Sequence, residues 1–123
     1  MIGRTVVGDE ARVELTVEGI RGQSKTIEAV VDTGFSSWLT LPPDLIKSLE
    51  LPWYSVEEGI LADGSTCRYD VFEAAVIWDG KLRPIFVDAA DIEPLVGMKL
   101  MRGYELRVQV RERGKITLKR LAR

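Results

Sequence analysis

The sequence predicts a mainly β domain, a small barrel or sandwich with one or two short helices. Three observations predict it. Apolar and polar residues alternate at period 2 along most of the chain, two Asp-Gly dipeptides interrupt the alternation where hairpins would turn, and only short stretches carry a helical period. With 123 residues there is chain for one core and too little for two, so residues 1–123 read as a single domain.

Taken in order, "ARVELTVEG" places Val13, Leu15 and Val17 on one face and Arg12, Glu14, Thr16 and Glu18 on the other, the pattern of a half-buried strand. "GIRGQS" follows as a turn and "KTIEAVVD" returns as a second strand, which makes a hairpin. That strand runs into Asp32-Thr33-Gly34, after which "SWLTL" resumes as a short extended piece. "PPDLIKSLEL" is the helix of the first half, with Pro43 in its first turn and Leu45, Ile46 and Leu49 sharing a face.

Residues 52–88 read as strand, turn, long strand, turn, strand, with turns at "ADGS" (Ala62–Ser65) and "WDGK" (Trp78–Lys81). Beyond Pro94, the middle of "PLVGMKLMRGY" predicts a short helix from about Gly97 to Arg102. "ELRVQVRERGKITLKR" closes the chain as two strands around Arg113-Gly114, with Leu106, Val108 and Val110 facing the same way as Ile116 and Leu118. The chain contains no repeat, no low-complexity segment and no linker.

Composition narrows the function. A net charge of −2 gives no support for a phosphate-binding surface, so nucleic acid is not an expected partner. Cys67 is the single cysteine, so no intrachain disulfide can form and a reducing compartment is expected. "MIGRTVVGDEARVEL" has no apolar signal core and no run reaches the length of a membrane span; the expectation is a cytoplasmic protein with no membrane partner. The chain has no histidine, which removes Ser-His-Asp and Cys-His catalysis, His-ligated zinc and imidazole acid–base chemistry. Carboxylates, Lys, Tyr or the one Cys must carry any reaction.

Asp32 is the carboxylate in the most telling place. One reading is a turn after a strand, with Asp and Gly present for backbone reasons. Against it, the acid directly follows the apolar run Ala29-Val30-Val31, where an unpaired carboxylate is costly, and an apolar segment resumes at once. The chemistry such a site supports is peptide hydrolysis by two aspartates. Two carboxylates a few ångström apart cannot both ionise readily, so one deprotonates a shared water while the other, protonated, polarises the scissile carbonyl. That needs no metal and no cofactor. Asp-Thr-Gly occurs once, so the second copy would come from a symmetric homodimer whose two-fold axis sets Asp32 against its mate. The Thr33 hydroxyl would cross-brace the two loops, and Gly34 would let an amide approach the carboxylate.

In these features the sequence resembles the retropepsin-like aspartic proteases, most closely the single-domain bacterial aspartyl proteases of that clan. The resemblance rests on the apolar strand into "VDTG", on "WLTLP" with the helix "PDLIKSLEL" behind it, on a hairpin tipped by "LADGS", and on "PLVGMKLMRGYELRV". It implies a small closed barrel of the retropepsin-like acid protease type. It further implies Asp32, Thr33 and Gly34 as the catalytic loop, and Ala62, Asp63, Gly64 and Ser65 as the tip of a flap over a peptide or protein substrate. Phe35 would fill part of the substrate pocket, and Leu95, Val96 and Gly97 would support the loop from behind. Phe35 stands where the family carries a small residue, and Ser36 and Met98 stand where retroviral members carry an ion-paired acid and arginine. The function implied is a homodimeric aspartic endopeptidase. The alternatives are a catalytically inactive domain of the same fold used for peptide binding or dimerisation, and a plain β-barrel interaction module.

The rival constellations are weaker. Asp88, Asp91 and Glu93 in "VDAADIEP" lack the Gly and distal Glu of a calcium loop and read as a solvated acidic turn, so no metal is expected. Cys67 reads as an ordinary strand residue, and Trp38, Trp53 and Trp78 as core or interface anchors. The basic tail reads as a strand with a charged outer face.

Overall fold

In the computed structural model, which describes residues 3–122, the alternating segments become strands. These are β1 (Gly3–Val7), β2 (Glu10–Glu18), β3 (Ser24–Val31), β4 (Leu39–Leu41), β5 (Trp53–Ile60), β6 (Thr66–Trp78), β7 (Lys81–Ala89), β8 (Leu95–Val96), β9 (Tyr104–Val108) and β10 (Ile116–Arg120). One helix, α1 (Pro43–Ser48), sits where Pro43 opens a turn and Ile46 faces the core.

An eight-stranded sheet runs in the order β1-β2-β3-β8-β4-β7-β6-β5, and an additional pairing of β2 with β6 curls it back on itself. The strands β2, β3, β8, β4, β7 and β6 thus form a closed ring. β9 and β10 make a separate two-stranded sheet, tied to β1 through the Thr5–Lys115 bridge. The apolar positions of the period-2 pattern fill the interior. Val13, Leu15, Val17, Ala29, Leu39, Leu41, Val76, Val87 and Val96 are all buried there, joined by Ile116 and Leu118 from the second sheet.

Three elements differ from the sequence reading. β1 pairs with β2 across Gly8-Asp9, both at positive φ, the two-residue turn that matches the twist of a hairpin. The sequence predicts no strand there, although its Gly-Asp dipeptide is a turn signal. The expected helix from about Gly97 to Arg102 is a run of turns that is cut short at Gly103, φ +88, with Tyr104 N–H bonded to Met101 O three residues back. Val110 does not share the inward face of Leu106 and Val108. The strand ends at Val108 and Val110 is 76% exposed, since the chain there curls into a loop in which Arg111 N–H bonds back to Gln109 O.

Candidate active site

The site is built on β8, a strand of only two residues. β8 lies parallel to the end of β3, with Val30 opposite Leu95 and Val31 opposite Val96, and antiparallel to β4, with Leu39 opposite Val96. It is therefore wedged between the strand that enters the Asp32 loop and the strand that leaves it. Val30 N–H donates to Pro94 O and Asp32 N–H donates to Val96 O, both at 2.9 Å. On the far side of the loop, Gly97 N–H donates to Trp38 O (3.0 Å), Met98 N–H to Phe35 O (2.8 Å) and Lys99 N–H to Ser37 O (3.1 Å). Leu95 N–H donates to the hydroxyl of Thr40, a polar side chain only 5% exposed in the core. Six consecutive residues, 94–99, thus pin both ends of the stretch from Val30 to Thr40, five through backbone bonds and Leu95 through the Thr40 hydroxyl.

Within the loop, Gly34 N–H donates to Asp32 Oδ1 at 2.9 Å, and Phe35 N–H donates to Asp32 O at 3.1 Å. A Cβ at Gly34 would stand 3.2 Å from that carboxylate oxygen, so glycine permits the short amide contact. Asp32 is half-buried, while Thr33 and Gly34 are exposed beside it. Gly97 has no room for a side chain at all. A Cβ there would meet Ser37 O at 2.1 Å and Phe35 Cδ2 at 2.7 Å. The Phe35 ring thus lies against Gly97, directly after Leu95 and Val96, whose backbones pair with the end of β3 and with β4.

Ala62, Asp63, Gly64 and Ser65 lie elsewhere, at the tip of the hairpin made by β5 and β6. Leu61 N–H donates to Ser65 O (2.7 Å) and Gly64 N–H to Leu61 O (2.9 Å), with Gly64 at φ +87. The Asp63 carboxylate accepts from the Ser65 hydroxyl and amide, and those bonds hold its pKa below the ordinary carboxylate value. These bonds close the tip on itself. The hairpin carries exposed apolar side chains on its arms, with Ile60 81% exposed, and Tyr54 rests on Phe86 with ring centroids 4.6 Å apart.

No family model and no curated protein matches this chain. Solved structures do. A retropepsin-like aspartic protease from Rickettsia conorii superposes with a TM-score of 0.64 over 98% of this chain and 91% of its own, at 17% identity. EIAV protease, solved with the inhibitor HBY-793, superposes with a TM-score of 0.58 over 78% of this chain and 88% of its own, at 12% identity. The fold is retropepsin-like. At such identities the likeness concerns the path of the backbone over most of each chain.

The retropepsin-like frame also brings in an acid that the sequence reading had placed in a solvated turn. Asp88 belongs to β7, opposite Val71 of β6 and Thr40 of β4, and is more than half buried. Burial pushes its carboxyl up to about 6; a hydrogen bond from Ser37 opposes that rise, Glu57 adds to it and Lys99 offsets it. The Tyr69 phenol is raised in turn by burial and by the charges of Asp88 and Glu57. Its pairing opposite Thr40 sets Asp88 beside the strand that leaves the Asp32 loop. In sequence "PIFVD" runs an apolar strand into an acid as "EAVVD" does, a pattern that does not say whether the acid is buried. Glu93 is engaged elsewhere, at 2.6 Å from Arg12, which also pairs with Glu10 and Glu28. Asp88, Asp91 and Glu93 thus do not act as one group. Of the tryptophans, Trp78 is buried and Trp38 packs on the core, whereas Trp53 is exposed with its indole N–H on Asp70.

Proposed function

We propose that this chain is an aspartic endopeptidase that works as a homodimer, each copy supplying one Asp32. The observation that carries the reading is the way Asp32 is held. Its backbone amide is bonded to Val96 and its carboxylate to the Gly34 amide, in a loop fixed from both sides, with Thr33 and Gly34 open to solvent next to it. A carboxylate merely ending a strand would need none of this.

A shallow apolar cavity of about 440 Å³ opens beside Thr33, lined by Met98, Met101, Tyr104 and Leu106 among others, and Met98 is 50% exposed. A second copy placed there by a two-fold axis would cover that surface and bring its Asp32 to the first. In the dimer the ionised member of the pair takes a proton from a bound water, whose oxygen adds to the peptide carbonyl carbon. The protonated member hydrogen-bonds the carbonyl oxygen and stabilises the charge that develops on it. The β5–β6 hairpin would close over an extended peptide, adding backbone hydrogen bonds and excluding water.

The test is to incubate the wild type and Asp32→Asn with a mixed peptide library from acid to neutral pH. Cleavage by the wild type is expected to fall by about 10²–10⁴-fold in the variant. Cleavage that survives the substitution would assign the activity to something else. A wild type that dimerises and binds peptides without cutting them would establish the non-catalytic alternative instead.

A further inference from the structure

At the end of the molecule marked by the β6–β7 turn, a cavity of about 370 Å³ is walled by Lys81, Arg83, Arg102 and Arg120 together with Trp78 and Tyr104. Four cations converge there in a chain whose net charge is −2. Two of them are already engaged. Arg83 donates to Leu100 O at 2.9 Å and stacks on Trp38, and Arg120 lies 3.9 Å from Asp79 and 3.5 Å from the Tyr104 hydroxyl. Asp79, the acid at the rim, also accepts the Tyr104 hydroxyl at 2.8 Å. Lys81 and Arg102 have no ion pair or hydrogen bond among the described residues.

A second observation is independent of the charges. Trp78 is only 3% exposed, and its indole N–H is buried without an acceptor among the described residues. An indole nitrogen can only donate, and leaving such a donor buried and unpaired costs about 1–3 kcal/mol. The unpaired indole N–H has no open surface toward the cavity, so what the cavity offers a ligand is its two unengaged cations.

We infer that this cavity binds a compact oxyanion, and that its ligand is a small phosphate monoester. Lys81 and Arg102 bring several charged N–H donors, and a terminal phosphate presents three strong acceptor oxygens and close to two charges where a carboxylate presents two oxygens and one charge. The site is a concavity of small-molecule size, unlike the basic stripe that tracks a polynucleotide. The inference does not depend on peptidase activity.

The test is a ¹⁵N–¹H titration of the intact protein, following its 3 tryptophan indole signals, with that of Trp78 assigned by its absence in Trp78→Phe. Inorganic phosphate and phenyl phosphate are added at constant ionic strength, with chloride and malonate as parallel arms. Both phosphates are expected to move the Trp78 signal saturably, phenyl phosphate at the lower concentration. Lys81→Gln/Arg102→Gln is expected to weaken binding about tenfold or more. Both residues are exposed, and an otherwise unchanged spectrum checks that the double variant is folded. Absence of saturation, an equal response to chloride, or undiminished binding by the double variant would overturn the inference. Tighter binding of malonate than of phosphate would overturn the assignment to phosphate chemistry.

Discussion

Gly97 bears more of the candidate site than its size implies. It is the point at which the segment after β8 touches the Asp32 loop, and a methyl group there would overlap both Ser37 O and the Phe35 ring. Gly97→Ala is expected to destabilise the protein by about 1–3 kcal/mol, read as a lower urea midpoint, because the neighbour that must yield is backbone. An unchanged midpoint would mean that the loop is looser than the contacts imply. Asp88 yields a prediction of opposite character. Its folded pKa of about 6 lies above the ordinary 3.8, so the native state binds the proton more tightly than the unfolded chain does. The stabilisation is therefore fully present below about pH 4 and is lost as pH rises through about 6. Equilibrium denaturation of the wild type against Asp88→Asn should show the wild type losing stability relative to the variant across that interval. A difference that does not vary with pH would contradict the burial of Asp88. Asp32 was legible in the sequence because Asp-Thr-Gly marks it. Asp88 was not, because an acid after an apolar run is buried or solvated according to what lies beside it, here Ser37 and Glu57 from elsewhere in the chain.

The smallest element, β8, shows why local pattern reads some segments well and others poorly. The hairpins were legible because alternation and turn dipeptides are local, and "WDGK" forms the expected two-residue turn with Asp79 and Gly80 both at positive φ. Residues 98–102 have helical spacing and yet form turns, since the segment lies between the paired strand β8 and Gly103 at φ +88, after which Tyr104 N–H closes on Met101 O three residues back. Thr40 likewise reads as a polar position in a strand, whereas it is buried and accepts the Leu95 amide at 2.9 Å. Thr40→Val keeps the shape and removes that acceptor. It is expected to cost about 1–3 kcal/mol and to speed hydrogen exchange at Leu95. Protection of the Leu95 amide that is unaffected by the substitution would show that β8 is held by its strand pairings alone.

For the whole molecule, the deciding contact is the pairing of β2 with β6, which turns an open sheet into a ring and fixes how β8 meets the Asp32 loop. If Asp32 acts in pairs across a two-fold axis, the specific activity of the wild type should rise with protein concentration. Adding excess Asp32→Asn should depress it further than dilution does, because mixed dimers hold a single competent carboxylate. Activities that simply add on mixing would show that one chain suffices. The sequence by itself determined β2 to β7, β9 and β10, the Asp-Gly hairpin turns, α1 and the acid that follows β3, since each depends on neighbours a few residues apart. Only the tertiary structure decided the closed ring, the turns at 98–102, the buried Asp88 and the basic cavity around Trp78. Those depend on hydrogen bonds and burial between segments tens of residues apart, where local periodicity carries no information.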